Sequence, residues 1–268
     1  MNNSSIGVFD SGLGGLTAVK SIREMLPHEN IIYFGDTGRL PYGTKTDETI
    51  KKYAASDIRF LLSHDVKLII IACGTASSVA LTDMQKQFDT PIVGVVEAAC
   101  AAAVRSCKNG RIGVIGTSTT IKSGSYLRGI SKLNSNISVF SKACPLFVPL
   151  VENGHFDSEV TRIITDEYIK EIREKDVDTL ILGCTHYPLL AKVIGEYMGS
   201  GVTLINPSEE LAKMLPGILG SGNLAAAENA GRCEYYVSDD EEGFAGLGGV
   251  FLQRKIDGQV RKIDIEKY

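Results

Sequence analysis

Short runs of hydrophobic residues alternate with amphipathic segments along the whole chain. The runs are rich in β-branched residues and are continuous rather than alternating in polarity, which is typical of parallel strands buried on both faces. The segments between them have helical spacing. Regular alternation of strand and helix predicts an α/β fold with parallel sheets and right-handed crossovers. The predicted strands cover 6–9, 30–34, 67–72, 92–96, 111–115, 136–140, 178–182 and 202–205.

Two parts of the chain repeat one another. The apolar runs 66–72 and 177–182 each lead into a cysteine that is followed within two positions by threonine. Residues 6–12 resemble residues 112–118 at nearly the same offset. We therefore predict two pseudo-symmetric, Rossmann-like parallel-sheet domains, with the active site in the cleft between them, where equivalent strand ends meet.

The predicted domains are joined by short crossings, since no flexible or low-complexity linker separates the repeats. We expect residues 1–97 and 207–268 to form the first α/β domain and residues 98–206 to form the second. The tail has a predicted strand at 234–237 and is expected to complete the first domain. Its Asp257-Gly258 dipeptide is a hairpin signal.

Composition indicates a soluble globular protein. The chain has 268 residues, of which 44% are hydrophobic and 22% are charged, and its formal net charge is −4. No run of like charges points to a nucleic-acid surface. The apolar stretches are far shorter than the ~20 residues of a membrane span, and the amino terminus lacks a signal-peptide core. We therefore expect a cytoplasmic protein with no nucleic-acid or membrane partner.

The six cysteines do not have the spacing of a metal site or a disulfide framework. No C-x-x-C pair occurs and the chain has 4 histidines, so structural zinc is disfavoured and free thiols are expected. Cys100 and Cys107 fall on an Ala-rich helix and are expected to be packing residues. Cys73 or Cys184, taken singly, would also be interpreted as a packing residue. Because both occur in the same sequence context, a catalytic role is favoured for the pair.

Cys73 and Cys184 each lie in a predicted strand-to-helix turn. Open α/β sheets bind ligands at this end of their strands. The N–H groups and the positive dipole end of a helix start can hold a carboxylate and favour a thiolate. If the two domains face each other, one thiol approaches a bound ligand from each side. The sequence thus predicts two opposed proton donors around an anionic ligand.

The glycine-rich segment 10–15 shares part of a nucleotide-binding pattern. Thr17 stands where G-x-G-x-x-G has its third glycine, and no Gly-Lys-Ser/Thr follows, which disfavours a phosphate site. The segment is instead interpreted as a turn that lets backbone approach a ligand closely. Two interpretations stay open for its start: Asp10 or Ser11 caps the following helix, or Asp10 tunes a neighbouring thiol or accepts an ammonium group.

Five sequence blocks stand at consistent spacing between about residues 6 and 210. The blocks are Asp10-Ser11-Gly12-Leu13-Gly14-Gly15, Tyr33-Phe34-Gly35-Asp36-Thr37-Gly38-Arg39-Leu40-Pro41-Tyr42-Gly43, Cys73-Gly74-Thr75-Ala76-Ser77, Pro149-Leu150-Val151-Glu152-Asn153-Gly154 and Gly183-Cys184-Thr185-His186-Tyr187-Pro188-Leu189. In this order they resemble the glutamate racemases of the cofactor-independent aspartate/glutamate racemase superfamily. Five blocks together are far more specific than any one of them.

The resemblance implies racemisation of glutamate by two cysteines on opposite faces of the α-carbon. Cys73 would be the base toward D-glutamate and Cys184 the base toward L-glutamate, with the partner thiol reprotonating the carbanion. His186 is similar to the family's assisting histidine, and Asp10 to the acid beside the first cysteine. The implied substrate contacts are Asp10, Ser11, Tyr42, Gly43, Gly74, Thr75, Thr117, Thr185 and His186, with Asp36 and Glu152 as polar supporting residues.

The resemblance also implies that the reaction needs no cofactor or metal, that D-glutamate is supplied for peptidoglycan, and that the protein is a homodimer. Taken from the residues alone, each of the three threonines has an ordinary alternative as a helix cap. Arg39 has an alternative as an exposed or paired surface cation.

Gly74 departs from the family's pattern, in which asparagine usually follows the first cysteine. Loss of one neutral hydrogen bond typically costs roughly 0.5–1.5 kcal/mol, and a water or the Gly74 N–H would compensate. Substrate choice therefore stays open, with aspartate or a broader set of acidic amino acids as the first alternative. A thiol-based redox or ligand-binding protein without turnover is the second, and the absence of C-x-x-C argues against it.

Overall fold

The computed structural model describes residues 2–227, 231–256 and 258–268, in which ten strands and twelve α-helices form. The strands are β1 (Ser5–Asp10), β2 (Ile31–Gly35), β3 (Val66–Ile71), β4 (Ile92–Gly94), β5 (Arg111–Gly116), β6 (Ser138–Ala143), β7 (Thr179–Leu182), β8 (Thr203–Ile205), β9 (Cys233–Val237) and β10 (Val260–Lys262). The helices are α1 (Leu16–Met25), α2 (Asp47–Leu62), α3 (Gly74–Val79), α4 (Leu81–Gln87), α5 (Val95–Ser106), α6 (Ser118–Ser123), α7 (Ser125–Leu133), α8 (Phe147–Glu152), α9 (Glu159–Arg173), α10 (Ala191–Met198), α11 (Pro207–Ser221) and α12 (Glu241–Leu252). Short 3-10 turns occur at Thr37–Arg39, Tyr42–Thr44, Tyr187–Leu190 and Ile265–Lys267.

Two parallel sheets form the framework. The first has the strand order β10-β9-β2-β1-β3-β4 and the second has the order β6-β5-β7-β8. Every described strand pair is parallel. The segment β2-β1-β3-β4 of the first sheet has the same topology as the whole second sheet when strands are matched along the chain. This match confirms the predicted fold class of two pseudo-symmetric α/β units.

The central strands are apolar because helices cover both faces of each sheet. After its first residue β3 is buried throughout, and all of β7 is buried. The edge strand β6 is only half-buried. Its weaker apolar pattern explains why the predicted strand at 136–140 is displaced from the observed one at 138–143.

Two other predicted boundaries are wrong. The strand predicted at 92–96 ends at Gly94, because Val95 and Val96 begin α5 rather than extending the strand. The spacing of apolar residues at 76–88 predicts one helix after the third strand, but the structure has two helices there, α3 and α4, which meet at Ala80. Apolar β-branched residues pack equally well in a strand or a buried helix, so a short run of them does not decide between the two.

The carboxyl-terminal tail adds two strands to the first sheet. β9 pairs with β2, and β10 pairs with β9 in parallel. The hairpin signal includes Asp257, which lies outside the described residues, and since β9 and β10 are parallel they are not the arms of a hairpin. The first sheet thus draws on residues 5–94 and 233–262, and the second on residues 111–205; the exact domain boundaries stay a prediction.

Helices α5 and α11 join the two halves. α5 packs against β7, β8 and α7 of the second half and against α3 and α11, and α11 also packs against α1. Cys100 of α5 is buried in the core of the second half, and Cys107 is partly buried against it, which agrees with their expected packing role. All six cysteines are free thiols.

Candidate active site

Cys73 and Cys184 bound the same cavity at the carboxyl ends of the two sheets. Cys73 follows β3 and caps the start of α3, and Cys184 follows β7 in the second sheet. The cavity between them has a volume of about 270 Å³. The predicted residues that line it with the two cysteines are Ser11, Tyr42, Gly43, Gly74, Thr75, Thr117, Glu152 and Thr185.

Cys73 is held by polar groups of its own half. The side chain is 4% exposed. Its Sγ accepts the Ala76 N–H at 3.5 Å, and its S–H donates to Ser11 Oγ at 3.7 Å. Burial, together with the nearby charge of Asp10, raises the pKa of Cys73 to about 12. At neutral pH this group is therefore a thiol, and once deprotonated it is a strong base.

Cys184 has a different partner, the imidazole of His186. Cys184 Sγ lies 3.9 Å from His186 Nδ1, and His186 Nε2 lies 3.1 Å from Glu152 Oε1. Burial alone lowers the pKa of His186, but hydrogen bonds to Cys184 and Glu152 outweigh it and raise the pKa to about 10. An imidazolium between a sulfur and a carboxylate is thus favoured at neutral pH.

Asp10 is completely buried beside the cavity and is not one of the residues that line it. Its Oδ2 accepts the Gly12 N–H at 3.0 Å, and its Oδ1 accepts the Thr185 O–H at 3.3 Å. Burial raises the pKa of Asp10, and the nearby His186 opposes that shift. The helix-capping interpretation is not seen: Gly15 is the N-cap of α1, with no side-chain cap.

The glycine-rich turn brings the two halves together. A Cβ on Gly14 would lie 2.0 Å from Thr185 Oγ1 and 2.6 Å from His186 Nδ1. Real Cβ atoms do not approach so closely, so only glycine permits this contact. The close backbone approach predicted for this turn is made to the opposite turn of the protein, against the residues that support Cys184.

Thr75 and Thr117 meet across the cavity edge, where their Oγ1 atoms are 2.9 Å apart. Thr117 is also the N-cap of α6, since its Oγ1 accepts the Thr120 N–H. The capping alternative therefore holds for Thr117 in addition to its place in the cavity wall. Thr185 does not cap a described helix and instead binds Asp10.

A buried charged network stands behind Tyr42. The Tyr42 hydroxyl oxygen lies within hydrogen-bond distance of Asp36 Oδ2 and of Asp57 Oδ2, and Arg39 pairs with both carboxyl groups at 2.7 Å. The Arg39 side chain is only 11% exposed, so of its two interpretations the exposed cation is wrong and the paired one is right. Asp36 is buried and reaches the cavity only through Tyr42.

Asp57 was not singled out from the sequence. The sequence does contain a feature that could have identified it: Asp57 lies on the apolar, buried face of α2, together with Ile58 and Ala54. A carboxylate on an apolar helix face is unusual unless it has a buried partner. Here that partner is Arg39, which lies before α2 in the chain.

In the described residues, no three His, Cys, Asp or Glu side chains are grouped so that they would hold a metal ion. None of the described helices is both long and apolar enough to cross a membrane.

Comparison with known proteins shows close relatives of this chain. A sequence profile of the Asp/Glu/hydantoin racemase family matches residues 6–215. A glutamate racemase of Geobacter metallireducens is 46% identical over 263 residues, which are 98% of this chain and 97% of that protein. The crystal structure of a glutamate racemase from Bacillus anthracis has a TM-score of 0.95 at 34% identity and covers 98% of both chains. That of the Francisella tularensis glutamate racemase in complex with D-glutamate has a TM-score of 0.93 at 38% identity and covers 100% of both.

Proposed function

Since the chain belongs to the Asp/Glu/hydantoin racemase family, and within it to the glutamate racemases, we propose that it interconverts L-glutamate and D-glutamate by proton transfer between Cys73 and Cys184. The observation that carries the mechanism is the placement of these two cysteines. They come from equivalent turns of the two halves and bound one cavity.

The reaction requires the α-proton to leave one face of the carbon and another proton to arrive on the opposite face. With D-glutamate bound, the Cys73 thiolate takes the α-proton, and the Cys184 thiol donates its proton to the other face. The product is L-glutamate, Cys73 is then a thiol and Cys184 a thiolate. The reverse reaction uses the same groups in the opposite roles, so one turnover prepares the site for the other enantiomer.

The surroundings of each sulfur support its part in this exchange. Cys73 gains basicity from its buried position, which keeps its pKa high. His186 Nδ1 lies beside Cys184 Sγ, where an imidazolium stabilises the negative charge that develops on the sulfur during proton transfer, and Glu152 in turn stabilises the imidazolium. The hydrogen-bond donors available to a carboxylate of the substrate are neutral groups, chiefly the hydroxyls of Ser11, Thr75 and Thr117. Fixed donors in a site that excludes water stabilise the developing negative charge better than water does.

The wider role follows from the family. As a glutamate racemase the protein would supply D-glutamate for peptidoglycan, act in the cytoplasm, use no cofactor and form a homodimer. The mass of the purified protein in solution, measured by light scattering, tests the dimer.

Deuterium incorporation tests the activity and the mechanism together. The purified protein is incubated in D2O with L-glutamate or with D-glutamate, without any added cofactor, and the enantiomers are separated. We expect interconversion with deuterium at the α-carbon. Activity on aspartate alone would replace the proposed substrate, and glutamate binding without exchange would favour a non-catalytic thiol protein.

Substitution of each thiol tests the two-base scheme. Because general acid and base groups contribute roughly 10²–10⁴-fold, we expect Cys73→Ala and Cys184→Ala each to lower the racemisation rate at least 100-fold. Cys107→Ala is the matched control, since Cys107 is only partly buried and lies away from the cavity. Full interconversion by either active-site variant would refute the scheme.

A further inference from the structure

Three threonine hydroxyls close a ring at the edge of the cavity. Thr117 Oγ1 lies 2.9 Å from both Thr75 Oγ1 and Thr120 Oγ1, and Thr120 Oγ1 lies 3.3 Å from Thr75 Oγ1. The ring connects α3 of the first half with α6 of the second. Thr75 and Thr117 line the cavity, whereas Thr120 is 1% exposed and lies behind them.

The direction of the hydrogen bonds follows from a count of protons. Each hydroxyl has one proton and two lone pairs. Thr117 Oγ1 already accepts the Thr120 N–H at 3.2 Å. Thr120 O–H is oriented to donate to Thr75 Oγ1. Both cavity hydroxyls then have an acceptor site filled from behind, and each is able to turn its own proton into the cavity.

The charged residues around the cavity indicate which chemical group of a ligand accepts hydrogen bonds from these two hydroxyls. No lysine or arginine is present among the described residues that line it. The one carboxylate in the described lining is Glu152, and its Oε1 lies 3.1 Å from His186 Nε2. A pair of outward O–H donors needs a ligand that only accepts hydrogen bonds, and a carboxylate is such a group.

We propose that Thr120 is a positioning residue, which sets Thr75 and Thr117 as a donor pair for a substrate carboxylate. This inference rests on the proposed function, since glutamate supplies that carboxylate. When the ligand takes the protons of both Thr75 and Thr117, the Thr120 O–H still donates to Thr75 Oγ1. Without the Thr120 hydroxyl, the oxygens of Thr75 and Thr117 would then lie 2.9 Å apart with no hydroxyl proton donated to either of them. One of the two protons is therefore held between them, and a single donor is left for the ligand.

The test compares Thr120→Val, which has nearly the same shape without the hydroxyl, with Thr120→Ser, which keeps the hydroxyl. Thr165→Val is the control, because Thr165 is a buried threonine of α9 whose hydroxyl has no partner in the described residues. Initial rates are measured with both enantiomers of glutamate. Affinity for L-glutamate is measured separately by calorimetry, with each substitution placed in a Cys73→Ala background that does not turn over.

We expect Thr120→Val to raise KM and Kd roughly 10- to 100-fold, which corresponds to one lost hydrogen bond to a charged group. KM rises equally for the two enantiomers, and kcat stays within about 2-fold, because the carboxylate contact is present before and during proton transfer. Thr120→Ser and Thr165→Val remain near the wild-type values.

An unchanged Kd in Thr120→Val would overturn the inference, and so would a fall of kcat with KM unchanged, because Thr120 would then act on the thiols. Failure of the proposed function has a different signature. In that case L-glutamate binds to the wild-type protein but is not racemised, while the effect of Thr120→Val on Kd still decides the role of Thr120.

Discussion

The two sulfur atoms occupy chemically different surroundings although their turns are equivalent in the fold. Cys73 receives a backbone N–H and contacts a serine hydroxyl, whereas Cys184 contacts an imidazole that is supported by a carboxylate. The pseudo-symmetry of the sheets thus positions both thiols but does not extend to the groups that control their protons. In the proposed mechanism, each direction of the reaction begins from a different base.

Glu152 is the residue through which the second base is most directly testable. Glu152→Gln keeps the size and one acceptor oxygen but removes the charge that stabilises His186 as an imidazolium. Charge-assisted hydrogen bonds are worth about 1.5–3 kcal/mol, so we expect kcat/KM to fall roughly 10- to 100-fold. The fall must be equal for both substrates, because enantiomers have the same free energy in water.

The control for this variant is Glu159→Gln, at an exposed position at the start of α9. Its kcat/KM should stay at the wild-type value. Wild-type rates in Glu152→Gln, measured by circular dichroism of the two enantiomers, would show that the carboxylate has no part in proton transfer.

His186 also makes stability depend on pH. Its pKa is raised to about 10 in the folded protein from about 6.5 in an unfolded chain. The folded state therefore holds this proton more tightly, and the resulting stability is complete below about pH 6.5 and is lost as the pH rises through about 10. The proton stabilises the protein most at neutral and acidic pH.

We expect the difference in unfolding free energy between the wild type and His186→Asn to shrink by about 2–4 kcal/mol from about pH 6 to about pH 10.5. Urea denaturation at several pH values measures this difference. Ionisation of other groups, including Cys73 at still higher pH, affects both proteins alike. A difference that does not change with pH would contradict the raised pKa of His186.

Residue-level prediction from the sequence works where chemistry repeats in one local pattern. Cys73 and Cys184 were identified because the same strand-cysteine-threonine pattern occurs twice. Asp57 and Thr120 were missed because their partners come from other elements. Thr120 belongs with Thr75 only because α3 and α6 meet across the cleft, and no local spacing in the chain expresses that contact.

At the scale of elements, the site depends on how closely the two strand-end turns approach each other. A Cβ on Gly74, at the start of α3, would lie 2.5 Å from the carbonyl oxygen of Gly183, directly after β7. This carbonyl oxygen belongs to the backbone, so it cannot move away by a change of side-chain rotamer. Gly74 therefore allows the first turn to pack against the second.

Gly74→Ala should separate the two turns. We expect a loss of about 1–3 kcal/mol of stability, as for other overpacked buried sites, and a higher KM for glutamate. Gly217→Ala is the matched control in α11, where a Cβ meets nothing within 4 Å. Replacement of a solvent-exposed helical glycine by alanine typically raises the free energy of unfolding by roughly 0.5–1 kcal/mol. A melting temperature of Gly74→Ala equal to or above that of the wild type would contradict this close approach.

Elements buried on both faces were the ones that hydrophobic pattern predicted well. The strands near β1, β3, β5 and β7 are continuous apolar runs and were predicted to within a few residues. The pattern was less informative for the edge strand β6, whose side chains alternate little in burial. It also did not predict that the strand ends at Gly94 and that a helix begins at Val95, because that change depends on backbone geometry at the end of the strand.

At the scale of the whole molecule, hydroxyl groups connect the two halves around the cavity. Thr119 Oγ1 donates to the carbonyl oxygen of Gly43 at 2.9 Å, and the contacts of Thr75 with Thr117 and of Asp10 with Thr185 also cross the cleft. These contacts are single hydrogen bonds between neutral groups or to one buried carboxylate. A ligand that contacts residues of both halves adds further contacts across the cleft.

Ligand binding should therefore stabilise the whole protein and not one half alone. At a glutamate concentration about 100 times Kd, mass action contributes about 2.7 kcal/mol, which raises the melting temperature of a protein of this size by several degrees. L-glutamate and D-glutamate should both do so, since they share the same carboxylates. Ornithine is the control: it has an ammonium group in place of the side-chain carboxylate, and an ammonium group has no lone pair to accept hydrogen bonds from the hydroxyls of the cavity wall. A shift with ornithine equal to that with glutamate, or none with either enantiomer at saturation, would mean that the cleft does not recognise an acidic amino acid.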